Sequence, residues 1–184
     1  MTEAEKNRRM KVRNLVNRTR RTLKLIRKYQ PKNIEEARAL GIGQLQKIGE
    51  GAFREAYRIY GTILLIKFPL IESFHNRVEG NLVTYRTDDH DGKYHTRAEI
   101  RKIRVLSKFK SLRKAMPPVY YYNSRDGVMV TRYYPKATVK DWTYQIGPLL
   151  SDVIKELTGV TLEDLFGDNV RKKDDSLVIT DLGY

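Results

Sequence analysis

Hydrophobic and polar positions change period several times along the chain. Residues 5–29 contain neither Gly nor Pro, and Val12, Leu15, Val16, Thr19, Leu23 and Ile26 form one apolar stripe at helical spacing. Arg8, Arg9, Lys11, Arg13, Arg18, Arg20, Arg21, Lys24, Arg27 and Lys28 occupy the rest of that helix, which Gln30-Pro31 ends. A short second helix is expected after it, with Asn33 as N-cap, Glu36 in capping-box position and Gly41 just past its end. From residue 44 the period becomes that of strands. Gln44–Ile48 and the run through Tyr60 flank a glycine turn, and Thr62–Phe68 forms a third strand after Gly61. A helix beginning at His95 follows, with Ile100, Ile103 and Leu106 as its apolar face. Two more strands are read at 116–122 and 127–131. Leu149, Leu150, Val153, Ile154 and Leu157 then mark a helix closed by Gly159, and Val170-Arg171 and Leu177–Thr180 form a last hairpin.

Composition narrows the possibilities. The 184 residues are 40% apolar, enough for a packed core in one domain, or in a small domain with an extension. There is no cysteine, which excludes disulfides, Cys-ligated zinc or Fe–S sites and a thiol nucleophile. The longest aliphatic run, Ile63–Ile66, is far below the roughly 20 residues that cross a bilayer. The basic N-terminus lacks a signal-peptide core. A cytoplasmic, intracellular protein without membrane association is expected.

Charge changes the picture further. The net charge is +14, but residues 1–30 hold eleven Lys and Arg against Glu3 and Glu5, so +9 lies in the helical extension. That segment can grip phosphates of a nucleic acid or an acidic partner, or simply pack its stripe and leave a solvated basic face. No aromatic residues interleave its arginines for base stacking.

Candidate chemistry begins at the glycine turn. Gly49 and Gly51 let backbone N–H groups approach phosphates, and Lys67 on the following strand adds a charge for them. Ile48-Gly49-Glu50-Gly51-Ala52-Phe53, followed by Ile66-Lys67, resembles the nucleotide-covering loop and phosphate-binding lysine of protein kinases. The family's third loop glycine is Arg54 here, and its following valine is Ala56. Asp164-Leu165-Phe166-Gly167-Asp168-Asn169 has the family's catalytic-loop spacing, and Asp181-Leu182-Gly183, twelve positions beyond Asn169, resembles its metal-binding Asp-Phe-Gly. Leu162-Glu163 replace the usual residues before the loop aspartate, and Phe166 stands where compact bacterial kinases often carry His.

The resemblance covers about residues 44–184 and implies a distribution of roles. Gly49, Gly51 and Lys67 would hold ATP phosphates, and Glu99 would orient Lys67, with Glu79 as a rival partner and a solvated surface acid as the plainer reading of Glu99. Arg132, Tyr133 and Tyr134 would form the hinge against the base. Asp164 would act as catalytic base, and Asn169 and Asp181 would bind Mg²⁺. The implied fold is α+β: a kinase-like N-lobe of antiparallel strands with one helix, and a minimal helical C-lobe. The corresponding divisions are a basic extension at 1–42, the N-lobe and hinge at 43–134, and the C-lobe remnant at 135–184. The implied activity is ATP- and Mg-dependent transfer of a γ-phosphate to a protein or other hydroxyl acceptor. No activation segment follows Asp181-Leu182-Gly183 in this sequence. The alternative is therefore a weak or inactive pseudokinase that binds an acidic partner or nucleic acid through residues 5–29.

Other groupings are weaker. Asp88, Asp89 and Asp91 before Gly92 suggest a calcium loop, but Ala98 falls where the bidentate acid belongs, so an Asp-Gly hairpin turn between 82–85 and Lys93-Tyr94 is expected instead. His75, His90 and His95 are not at metal-ligand spacings and are read as surface or turn residues.

Overall fold

The protein was analysed as a computed structural model. It describes residues 1–51, 53–70, 74–78, 81–85, 92–135, 140–162, 165, 169–173 and 176–180. The elements in order are α1 (Glu3–Tyr29), α2 (Ile34–Ala39), β1 (Leu45–Glu50), β2 (Arg54–Ile59), β3 (Leu64–Pro69), β4 (Phe74–Val78), β5 (Asn81–Tyr85), α3 (Gly92–Leu106), α4 (Lys110–Arg113), β6 (Val119–Asn123), β7 (Val128–Arg132), α5 (Lys140–Thr158), β8 (Val170–Lys173) and β9 (Ser176–Ile179). The class is α+β, as expected. The described strands form a five-stranded antiparallel sheet of order β1-β2-β3-β7-β6 and two separate hairpins, β4-β5 and β8-β9. Two compact units emerge, residues 1–93 with 119–133, and residues 94–118 with 134–184.

In the first unit the sequence fixes both ends of α1. Thr2 and Glu5 form a reciprocal capping box: the Thr2 hydroxyl accepts from the Glu5 N–H at 3.2 Å, and the Glu5 carboxylate accepts from the Thr2 N–H at 3.1 Å. Gln30 closes the helix in the left-handed region, φ 49°, immediately before Pro31. The Asn33 side chain accepts from the Glu36 N–H at 2.9 Å to start α2, and Gly41 follows that helix at φ 62°.

The stripe of α1 is only half used. Thr19, Thr22 and Ile26 are buried, while Val12, Leu15 and Val16 on the same face remain exposed. Packing of the whole stripe is thus corrected to packing of its C-terminal half. Ile26, Ile34, Ala37 and Ile42 lie against Tyr57, Ile59, Leu64, Ile66, Phe68, Val128 and Val130, the alternate residues of β2, β3 and β7. Polar ties reinforce the junction. The Thr19 hydroxyl donates to the Leu15 carbonyl at 2.8 Å and accepts from the Ile63 N–H at 3.4 Å. Arg27 donates to the Tyr120 carbonyl at 2.9 Å. The β2–β3 turn needs glycine at position 61 for its φ of 69°, and the Arg18 side chain lies over it.

The second unit has its own core. Ile100, Ile103 and Leu106 of α3 are buried, as are Met116, Ile154, Leu162, Leu165, Val170, Val178 and Ile179. The Ile179 N–H donates to the Ala115 carbonyl at 2.8 Å, tying β9 to the segment after α4. Of the apolar residues read on α5, Ile154 is buried, whereas Leu149, Val153 and Leu157 share an exposed stripe.

Three local expectations are corrected. The α3 helix starts at Gly92 and not at His95, so Lys93-Tyr94 are helical and no Asp-Gly hairpin turn is made with them; Asp91 lies outside the described residues. Gly92 belongs in the helix because only a residue without Cβ fits there: a Cβ would sit 2.1 Å from the Phe53 carbonyl oxygen. His95 is buried in α3 rather than at the surface. The Asp-rich segment 86–91 and His90 lie outside the described residues.

Because Ile26 is fully buried at the junction and Val12 is exposed, truncation separates the two halves of α1. Ile26→Ala is expected to cost about 2–5 kcal/mol, and Val12→Ala less than about 0.5 kcal/mol, in urea unfolding followed by circular dichroism.

Candidate active site

The pairing of the central sheet places several of the sequence-selected residues in one line. Gly49 pairs with Ala56, Ala56 with Lys67, Lys67 with Met129, and Met129 with Tyr122. Directly paired residues project from the same face, so Gly49 and Lys67 share a cross-strand row and stand two strands apart, about 10 Å. The neighbouring row on that face holds Gln46, Arg58, Leu65, Thr131 and Val119. This is the face opposite the one covered by α1 and α2, because core residues Tyr57, Ile66 and Val130 alternate with it.

Lys67 is only 4% exposed, on a central strand flanked by β2 and β7. A buried ammonium is costly unless it is partnered, and Lys67 does not stand alone at this position. The β1–β2 turn above the row is open. A Cβ on Gly49 would meet nothing within 4 Å, and one on Gly51 only the Arg54 carbonyl at 3.9 Å. Neither glycine has positive φ. Neither a left-handed turn nor a crowding neighbour therefore calls for glycine at these two positions, and the surface over them is open. The Gly51 N–H donates to the Arg54 carbonyl at 2.9 Å and is thus held by the turn itself.

A β-bulge between Lys47 and Gly49 leaves Ile48 unpaired and more than a third exposed. The bulge and its surroundings are held from the core face by a charged clamp that sequence reasoning missed. Glu50 and Glu55 pair directly across β1 and β2, an arrangement that is unfavourable for like charges. Lys47 bridges them, with its ammonium 2.6 Å from Glu55 and also bonded to Glu50, while the Tyr57 hydroxyl donates to Glu55 at 2.8 Å. The bond from Lys47, with help from Tyr57, lowers the Glu55 pKa despite partial burial. The two glutamates raise that of Lys47. Burial, followed by the bond to Glu55, raises that of Tyr57. The signal available in the sequence was Lys47, Glu50 and Glu55 flanking a predicted tight hairpin, which brings opposite charges across it.

The hinge residues are arranged more narrowly than expected. The Tyr133 N–H donates to the Ile63 carbonyl at 2.8 Å and so is committed to the sheet rather than to a base. The Tyr133 ring instead takes the Arg58 guanidinium 4.5 Å from its centroid, with the Tyr60 ring 5.0 Å from the same group. Arg58 Nε is buried without a hydrogen-bond partner, so the aromatic faces supply the favourable contact. Arg132 ends β7 opposite Leu64, and Tyr134 is buried in the second unit. Thr131, buried between Leu65 and Val119 in that row, is a further residue that the sequence reading passed over.

The remaining candidates belong to the second unit. Glu99 is fully buried on α3 beside Thr96, which rules out a solvated surface acid. Asn169 immediately precedes β8; its carbonyl accepts from the Thr180 N–H at 2.7 Å and the Thr180 hydroxyl at 3.2 Å, which closes the β8-β9 hairpin around it. Asp164, Asp181 and Glu79 lie outside the described residues.

Comparison with known proteins adds little at the level of sequence. No family model matches the chain, and no curated protein matches it. Among solved structures it is similar to a chain described as "PpkA-294 apo form", at 20% identity and a TM-score of 0.43. The match covers 75% of this chain and 57% of that one, so the chain spans less than two thirds of that protein's length. Among the described residues, no helix is long and apolar enough to cross a membrane.

Two measurements check this geometry. Gly92→Ala is expected to destabilise the protein by about 1–3 kcal/mol in urea, because the added methyl meets the Phe53 carbonyl and the Leu70 N–H rather than a flexible side chain. Glu55→Gln is expected to lower the urea midpoint at neutral pH. Since Glu55 has a lowered pKa, its contribution is full above the ordinary glutamate value and is lost as pH falls through the folded one. The difference between wild type and E55Q should therefore shrink in acid, measured as paired urea titrations across the carboxylate range.

Proposed function

We propose that this protein is a kinase-like phosphotransferase that moves the γ-phosphate of ATP to a hydroxyl acceptor. The observation that carries the reading is the shared row of Gly49 and buried Lys67 beneath an open glycine turn. An exposed glycine turn offers little steric barrier to a phosphate chain, and a buried cation two strands away supplies the charge that such a chain needs. The residues present therefore suit a nucleoside triphosphate. Ala56, Leu65 and Thr131 contribute small or apolar surface to the same sheet face, suited to a planar base.

The remaining roles rest on the order of the motifs. Lys67 holds phosphate oxygens, and Glu99 fixes the lysine's orientation. Asp164 accepts the proton of the acceptor hydroxyl as its oxygen attacks the γ-phosphorus, and the bond from that phosphorus to the β–γ bridging oxygen breaks to release ADP. Asn169 and Asp181 are the groups that would hold Mg²⁺, which when bound neutralises phosphate charge. The acceptor is a protein or another hydroxyl-bearing molecule.

The test is thermal unfolding of the full chain with Mg-ATP, followed by transfer of radiolabelled phosphate to a generic protein acceptor. Wild type should be stabilised by millimolar nucleotide. Lys67→Ala and Asp181→Ala should each weaken binding tenfold or more, about 1.4 kcal/mol. Absence of any nucleotide-dependent shift in the wild type would overturn the reading. Binding without transfer would leave a nucleotide-binding pseudokinase and remove the enzymatic claim.

A further inference from the structure

The N-terminal half of α1 leaves the body of the first unit: residues 1–18 are all exposed, whereas Thr19, Thr22 and Ile26 are buried. Along the helix Lys6, Arg9, Arg13, Arg20 and Lys24 follow one another at spacings of three, four, seven and four residues, and Asn17 fills the long step. Those spacings bring all five cations to one side of an α-helix, turned away from the buried stripe. The five are exposed and extend over about 27 Å at 1.5 Å per residue. Among the described residues, no carboxylate lies within ion-pair distance of Arg9, Arg13, Arg20 or Lys24, and Lys6 meets only Glu3 at 3.9 Å.

We infer that this ladder binds the phosphate backbone of a nucleic-acid duplex, independently of base sequence. The inference does not depend on phosphotransfer. A line of exposed cations, four of them without an ion-pair partner among the described residues, complements a linear polyanion, and a duplex presents one negative charge per roughly 1.7 Å. The ladder contains no apolar residue, so an acidic protein would find charge there but no anchor to bury. The exposed apolar residues Met10, Val12, Leu15 and Val16 lie off the ladder and include no aromatic residue, unlike the inserted face of a membrane-surface helix. A second copy of the chain would bring two cationic ladders together. Bases of a single strand would find no ring to stack on before Tyr29. Binding through phosphates alone releases counterions, and its strength depends steeply on salt.

The experiment is fluorescence anisotropy of the full chain with labelled duplexes of about 30 base pairs, roughly three turns, in two unrelated sequences and as DNA and RNA. Affinity should be similar for both sequences and fall with salt at a log–log slope of about −4.5, corresponding to five neutralised phosphates. The variant R9Q/R13Q/R20Q/K24Q should bring the slope near −1 and weaken low-salt binding a hundredfold or more, with the far-UV spectrum unchanged. A variant removing the same number of charges elsewhere, K32Q/K108Q/K110Q/K114Q, should leave the slope in place. Failure of the wild type to bind either duplex at low salt would overturn the inference, as would equal loss in both variants. Equal or tighter binding to poly-glutamate, to anionic phosphatidylserine vesicles or to a single strand at matched salt would overturn it as well.

Discussion

One constraint organises the first unit: a five-stranded sheet has two faces, and the apolar one must be covered. Ile26, Ile34, Ala37 and Ile42 from the first 42 residues cover it, against alternate positions of β2, β3 and β7. The leading helix is therefore as much a core element as a charged appendage. Once that face is occupied, the period of two in each strand leaves no choice about the other. It delivers Gly49, Ala56, Lys67 and Met129 to one row and Arg58, Leu65 and Thr131 to the next. A slip of one residue in β3 would exchange Lys67 for Ile66 and send the ammonium into the apolar core. Position and protection of the candidate site are thus consequences of how the opposite face is packed.

Charge follows a similar logic of compensation. Two glutamates face each other across the β1–β2 hairpin, and Lys47 turns that repulsion into a clamp on the bulge that presents Ile48 and Gly49. The clamp works from the core side while the open turn faces away, so rigidity and accessibility are assigned to different faces of the same hairpin. At the other end of the sheet, Arg58 lies between Tyr60 and Tyr133, which anchors the exit of β7 through aromatic contacts rather than an ion pair.

Much of this was legible in the sequence wherever period and punctuation agree. The α1 and α2 helices, the three strands around Gly49 and Gly61, the β6-β7 pair and the β8-β9 hairpin follow from apolar spacing, caps and glycines. What escaped depends on contacts distant in sequence. Nothing local to Gly92 distinguishes a turn from a helix start; the carbonyl of Phe53, thirty-nine positions earlier, decides it. Exposure of Val12, Leu15 and Val16 was hidden because periodicity shows that a stripe exists, not how far its partner extends. Burial of His95 was hidden for the same reason, since a polar residue on an apolar face reads as surface until the packing is known, while Glu99 admitted both a partnered and a solvated reading until its burial removed the second. The roles of Asp164 and Asp181 remain readings of motif order, with both residues outside the described structure.

The partial docking of α1 has a dynamic consequence. A helix held at one end distributes its stability unevenly along its length. Amide hydrogens near Thr22 and Ile26 can exchange only when the helix leaves the sheet, an event that uncovers the core. Those between Lys6 and Asn17 need only local fraying, because these residues are exposed and contribute nothing to the buried core. The two halves of one uninterrupted helix therefore report different processes: the C-terminal half opens with the domain, and the N-terminal half opens alone.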